Sequence, residues 1–225
     1  MNQYAYLIGN LFFMLVWLIL FLHRKDLRKE MLTMSSLITP LGITVMLFYK
    51  DYWRPEFTID LGFNFGFESL LFCFFIGGIT AVIYEEMFGK KYSHRHDTKR
   101  PKHLFAITGT AIFMLYFGVT LLSINSIYVS SFIMLLAGLA IIFIRHDLAK
   151  EALMSGVLVG LLMFIFYFFY FLIIFPDIIQ KWWLLNNLSG ILLYGVPVEE
   201  LLWGFCWGFV AGPIYEFILG LKTKK

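Results

Sequence analysis

Glu199 and Glu200 stand side by side in an apolar, aromatic stretch, YGVPVEELLWGFCWGFVAGPIYEF at residues 194–217, with no Lys or Arg close by in sequence. A charged side chain inside a bilayer is costly, so acids found there mark a functional interior. In a helix Glu199, Trp203, Cys206 and Trp207 share one face by i+4 and i+7 spacing, and Glu68 with Phe72 makes an equivalent face. Acids that converge in a low-dielectric site cannot all ionise, which leaves a proton donor beside a carboxylate. Trp203, Trp207 and Phe72 offer aromatic faces to a substrate that becomes cationic. Pro197, two residues ahead of Glu199, is expected to kink or break the helix and widen a cavity. The plainer alternative makes these acids protonated, hydrogen-bonded links between helices near the outer interface.

Other candidates read differently. Glu85, Glu86 and Glu216 close their apolar runs at the opposite end, roughly 25 Å from Glu68 and Glu199 at 1.5 Å per residue. Pairing with Arg24 and Arg145 is their expected role. The repeated D-x-x-x-E pairs, Asp26/Glu30 and Asp147/Glu151, could hold Mg²⁺ for a diphosphate. Flanking Arg and Lys instead favour helix N-caps with local ion pairs. His94, His96 and His103 sit in KKYSHRHDTKRPKH (90–103) without a Cys or clear fourth ligand, so a solvated basic loop and no metal site is expected. Cys73 and Cys206 lie inside apolar runs and read as small core residues. No Lys lies in an apolar run to form a retinal-type Schiff base, and no Gly-rich phosphate loop suggests a nucleotide or flavin.

The elements that must position these residues are membrane helices. Of the 225 residues 60% are hydrophobic, 20% aromatic and only 15% charged, against about a quarter charged in a soluble domain. Apolar runs predict seven spans near 4–22, 31–49, 64–85, 104–122, 127–144, 153–175 and 191–218, with SINS at 123–126 as a turn. The first run lacks a preceding basic residue and a following small-residue cleavage site, and reads as a retained span. Fifteen Lys and Arg fall in the loops after spans one, three and five and in the C-terminal tail, against three in the other loops. That bias places the N-terminus outside and the C-terminus in the cytoplasm. The expected location is the cell (inner) membrane. Tyr52–Trp53 and Trp182–Trp183 fall on the outer side, where an aromatic belt is expected. The net charge of +3 follows from this asymmetry and points to no nucleic acid.

The two halves resemble each other. RKDLRKEML (24–32) matches RHDLAKEAL (145–153), and ESLLFCFFIGGITAVIYEEMFG (68–89) lies on EELLWGFCWGFVAGPIYEFILG (199–220) without a gap. Glu68/Glu199, Gly77/Gly208, Tyr84/Tyr215 and Glu85/Glu216 coincide, which chance similarity of apolar segments does not produce. The expected architecture is all-α and integral to the membrane. It has a first three-helix repeat over 1–90, a basic cytoplasmic loop and linker helix over 91–124, and a second three-helix repeat over 125–225. Three spans reverse direction and a lone linker restores it, so the repeats are parallel about an axis along the membrane normal. That axis converges Glu68 with Glu199 and Glu200 on one cavity.

VPVEELLWGF at 196–205, in which Pro-x-Glu-Glu opens an aromatic helix, resembles the motif of the lycopene cyclase domain family, as do tandem three-helix repeats. The first half departs from that motif: GFES at 66–69 has neither the proline nor the second acid. The resemblance implies a membrane carotenoid or isoprenoid cyclase, a non-redox lyase or isomerase that closes the end of a linear polyene. It implies catalytic carboxylates at Glu199 and Glu200, after Pro197. No cofactor is expected. The expected partners are a hydrophobic polyene and the lipid bilayer, and a homo-oligomer is an option left open. The residues alone also allow a small parallel-repeat transporter, or a hydrophobic-ligand-binding protein, with a protonatable Glu site. A Glu-Glu intramembrane protease needs Arg and His ligands within the membrane, and the spans hold none.

Overall fold

The computed structural model describes residues 2–89, 91–93 and 101–224. It is mostly helical. The chain runs through α1 (Ala5–His23), α2 (Arg28–Ile38), a 3-10 turn (Thr39–Thr44), α3 (Val45–Phe48), α4 (Phe67–Phe88), α5 (Pro101–Thr120) and α6 (Ser126–Ile144). It continues through α7 (Ala149–Phe166), a π-helix (Tyr167–Ile174), α8 (Ile178–Trp182), α9 (Val198–Ala211) and α10 (Ile214–Leu219). Among the described residues six helical segments are long and apolar enough to cross a membrane: Ala5–His23, Arg28–Phe48, Phe67–Phe88, Ser126–Ile144, His146–Ile174 and Val198–Leu219. The stretch expected as a fourth span is the 20-residue helix α5.

Two short hairpins set where the key helices begin. β1 (Asp60–Gly62) pairs antiparallel with β2 (Phe65–Gly66) ahead of α4, and β4 (Leu192–Leu193) with β5 (Val196–Pro197) ahead of α9. Their tips carry the left-handed residues Phe63, Asn64, Tyr194 and Gly195, the geometry that lets a tight turn match strand twist. The apolar runs read as spans from 64 and 191 therefore start as hairpins. Pro197 caps α9 with φ −57° and ψ 131°, so it begins the helix and does not kink it. A ring that fixes φ and lacks an N–H is harmless at a helix start. The break in this span lies instead at Gly212–Pro213, between α9 and α10.

The helices pack by close backbone approach. A Cβ on Gly208 would meet the Ser155 carbonyl oxygen at 2.4 Å, and one on Gly42 the Ser69 carbonyl oxygen at 2.6 Å. These glycines seat α9 on α7 and the 3-10 turn on α4. Tyr52, Trp182 and Trp183 are buried in the core and form no lipid-facing belt. The reason is backbone pairing. Leu184 N donates to the Tyr52 carbonyl (2.8 Å), Arg54 N to that of Trp182 (2.6 Å), and Trp53 bridges Trp183. With those groups satisfied, the rings can turn inward.

β3 (Lys91–Ser93) pairs with β6 (Lys222–Lys224), so the end of α4 and the C-terminal segment meet at one end of the molecule. Most of the basic loop expected at 90–103, including His94 and His96, lies outside the described residues, as does the side chain of His103. Arg24 and Arg145 sit at this same end. Arg24 grips Asp26 through two nitrogens and also reaches Glu86 (3.2 Å) and the Glu85 carbonyl. Arg145 grips Asp147 likewise and donates to the carbonyls of Leu221 and Glu216. Asp26 and Asp147 thus serve ion pairs. The N-cap positions of α2 and α7 are Leu27 and Leu148, without side-chain caps. A forked, charge-assisted pair outcompetes a single cap bond.

Candidate active site

α9 opens with its two acids about 100° apart on the helix, and the structure sends them to different places. Glu200 lines a cavity of about 120 Å³ between α1, α4, α9 and the π-helix. Its Oε1 accepts from the Tyr52 hydroxyl and from Trp183 Nε1. Trp183 Nε1 also lies 3.4 Å from the Tyr52 oxygen, and the Tyr167 hydroxyl faces the same carboxylate. Burial, and then the adjacent Glu200, push the Tyr52 phenol well above its ordinary pKa. It therefore stays protonated and remains a donor.

Glu199 and Glu68 have a different, mutually similar setting. Glu199 Oε1 accepts from Ser189 N (2.8 Å) and from the Tyr128 hydroxyl (2.7 Å). Glu68 Oε1 accepts from Thr58 N (2.6 Å) and Ile59 N (3.0 Å). Each acid sits in the first turn of its helix and ties down backbone about ten residues upstream. Neither lines the cavity. The expected single cavity shared by all three acids is replaced by one lined by Glu200 alone. The residue at Glu200's register in the first half, Ser69, lies on its wall.

Trp203 and Phe72 line this cavity as well, with ring centroids 6.1 Å apart. Trp203 also borders a second cavity of about 270 Å³, lined largely by α5, α6, α9 and α10. Leu41, Thr44, Phe48 and Cys73 border both, so the two cavities are neighbours that share a wall. Trp207 faces only the second cavity; it stacks on Trp203 (6.0 Å, 5° between planes) and donates to Thr80 Oγ1 (3.2 Å). Pro197 is buried outside both cavities. Tyr167 and Phe171 reach the wall from the π-helix, a form frequent at functional sites. Far from the cavity's acid, the buried carboxylates of Glu85, Glu151 and Glu216 lie within 4.8 Å of one another, and among the described residues they are the group that could hold a cation.

Residues 125–218 match the family model described as lycopene cyclase. This segment is similar to the lycopene cyclase family. The match covers under half of the chain, and no curated protein and no solved structure matches it. The matched segment contributes Glu200, Trp183, Tyr167 and Trp203 to the site, while Tyr52 and Phe72 come from residues before it. Reading the sequence missed Tyr52, Trp183 and Tyr167 as partners of Glu200. The two aromatic dipeptides were visible, but their polar atoms were assigned to the membrane interface.

Proposed function

We propose that the protein is a membrane carotenoid or isoprenoid cyclase that starts ring closure by protonating one end of a linear polyene. The observation that carries this reading is a single carboxylic acid, Glu200, on the wall of a mainly aromatic and aliphatic cavity that adjoins a second one. From Glu200 to Phe217, which lines the far cavity, α9 and α10 run roughly 25 Å at 1.5 Å per residue. A polyene end beside Glu200 with its chain along the second cavity fits that length.

In this reading Glu200 passes its proton to the terminal double bond, and the cation attacks an internal double bond to close the ring. The faces of Trp203 and Phe72 stabilise the positive charge. Loss of a proton from the ring carbon to the carboxylate restores the acid, so the product is an isomer of the substrate. Glu68 and Glu199 position the loops ahead of α4 and α9. The finer architecture belongs to the same proposal: seven spans in two parallel three-helix repeats, α5 as linker, N-terminus outside and C-terminus cytoplasmic.

Expressing the full chain in lycopene-accumulating bacteria tests the function. A cyclic pigment with the mass of the acyclic precursor is the expected result. Unchanged precursor in membranes that contain the folded protein would overturn it for this substrate class.

A further inference from the structure

We infer that Tyr52 and Trp183 form a built anion cradle that directs the Glu200 proton toward the cavity and stabilises the carboxylate left behind. The inference rests on the cyclase reading for its chemistry and on hydrogen-bond geometry for its assignment. Both donors converge on one oxygen, Oε1. An indole N–H can only donate, so Oε1 must act as acceptor in either protonation state of Glu200. The transferable proton therefore belongs on Oε2. When the O–H bond at Oε2 breaks and the C–H bond forms on the polyene, negative charge spreads onto Oε1, where two fixed donors already point. Donors oriented before charge develops need no reorganisation during the step, and removing one such donor from an oxyanion site lowers turnover on the order of 10²–10³.

The cradle is braced from several sides. Tyr52 is held by Leu184 N on its carbonyl, and neighbouring Asp51 accepts from Ser126 N (3.0 Å) and Ser126 Oγ (2.6 Å). Asn125 and Asn187 both donate to the Asp51 carbonyl. Asp51, Ser126 and Asn187 touch no cavity wall; their bonds fix where the Tyr52 hydroxyl can sit. Tyr52 precedes the segment that matches the lycopene cyclase family, so the acid of that segment is completed by the other half of the chain.

The test uses full-length Tyr52→Phe and Trp183→Phe in membranes with matched expression and melting temperature. The cradle predicts that kcat falls on the order of 10² in Tyr52→Phe, with KM little changed. It also predicts that the pH at which activity is lost moves upward, because the charged form of the acid has lost a donor. A residue with a merely structural role would lower kcat without moving that profile. A second readout needs no turnover: the carboxyl C=O stretch, assigned by its loss in Glu200→Gln, should move to higher wavenumber in both variants. Wild-type turnover, pH profile and C=O frequency in Tyr52→Phe would overturn the cradle while leaving the cyclase reading intact. An inactive wild type whose C=O band responds to Tyr52→Phe would instead sink the cyclase reading and leave the geometry standing.

Discussion

Replacing Glu68 by Ala separates positioning from chemistry. In the structure its Oε1 takes the N–H groups of Thr58 and Ile59 at 2.6 and 3.0 Å, and the side chain is fully buried. Leaving a buried donor without its acceptor costs about 1–3 kcal/mol, and about 1.5 kcal/mol is taken for each N–H. Losing both therefore costs about 3 kcal/mol, which for a chain of this size lowers the melting temperature by roughly 6–12 °C. Glu68→Gln keeps one acceptor oxygen and should recover about half of that loss. Turnover per folded molecule should stay within about threefold of wild type, because no interaction with the reacting atoms is removed. The assay pairs thermal unfolding in detergent with pigment analysis below the melting temperature of each variant. An unchanged melting temperature with activity reduced on the order of 10² would refute this assignment and put Glu68 in the chemistry.

Glu199→Ala should behave like Glu68→Ala, because it orphans Ser189 N–H and the Tyr128 hydroxyl; a melting curve and a turnover measurement on one preparation decide. Trp203→Leu removes an aromatic face worth about 2 kcal/mol to a cation, so turnover should fall roughly 30-fold at unchanged fold, as measured by initial rates. Gly208→Ala drives a methyl onto the Ser155 carbonyl, and loss of expression or a melting temperature lowered by several degrees is expected. The raised Tyr52 pKa makes a sign-definite claim. Below its ordinary value of 10.0 the phenol is neutral in folded and unfolded chains alike; above it only the unfolded chain ionises. Stability should therefore be flat in this group up to about pH 10 and fall beyond it, less steeply in Tyr52→Phe, as read by melting temperature against pH.

Much of the helical framework is legible in the chain because apolar run length is dictated by bilayer thickness. α1, α2–α3 and α6 begin and end within a few residues of where hydropathy places them. The hairpins ahead of α4 and α9 were hidden inside apolar runs, although Asn64 and Gly195 sit where such a turn needs left-handed backbone. That concealment decided the site. Glu199 and Glu200 differ by about 100° of helix phase, and the phase is fixed by the hairpin that starts α9. Matching the halves singled out Glu199 because Glu68 is its counterpart, yet the matched pair does matched work on loops. The cavity lies at the position where the halves differ, Glu200 against Ser69. Tyr52 and Trp183 escaped notice for a related reason: an aromatic ring at a span end looks the same in sequence whether it anchors to lipid or pairs across the core.

The account stands on proton delivery to carbon, and running the reaction in D₂O tests that most directly. If an acid in exchange with solvent starts ring closure, cyclic product formed by membranes in D₂O carries one deuterium per new ring by mass spectrometry. Glu200→Gln membranes should make little cyclic product under the same conditions. Cyclic product without deuterium, or undiminished labelled product from Glu200→Gln, would contradict the assignment of Glu200 as the acid that begins the reaction.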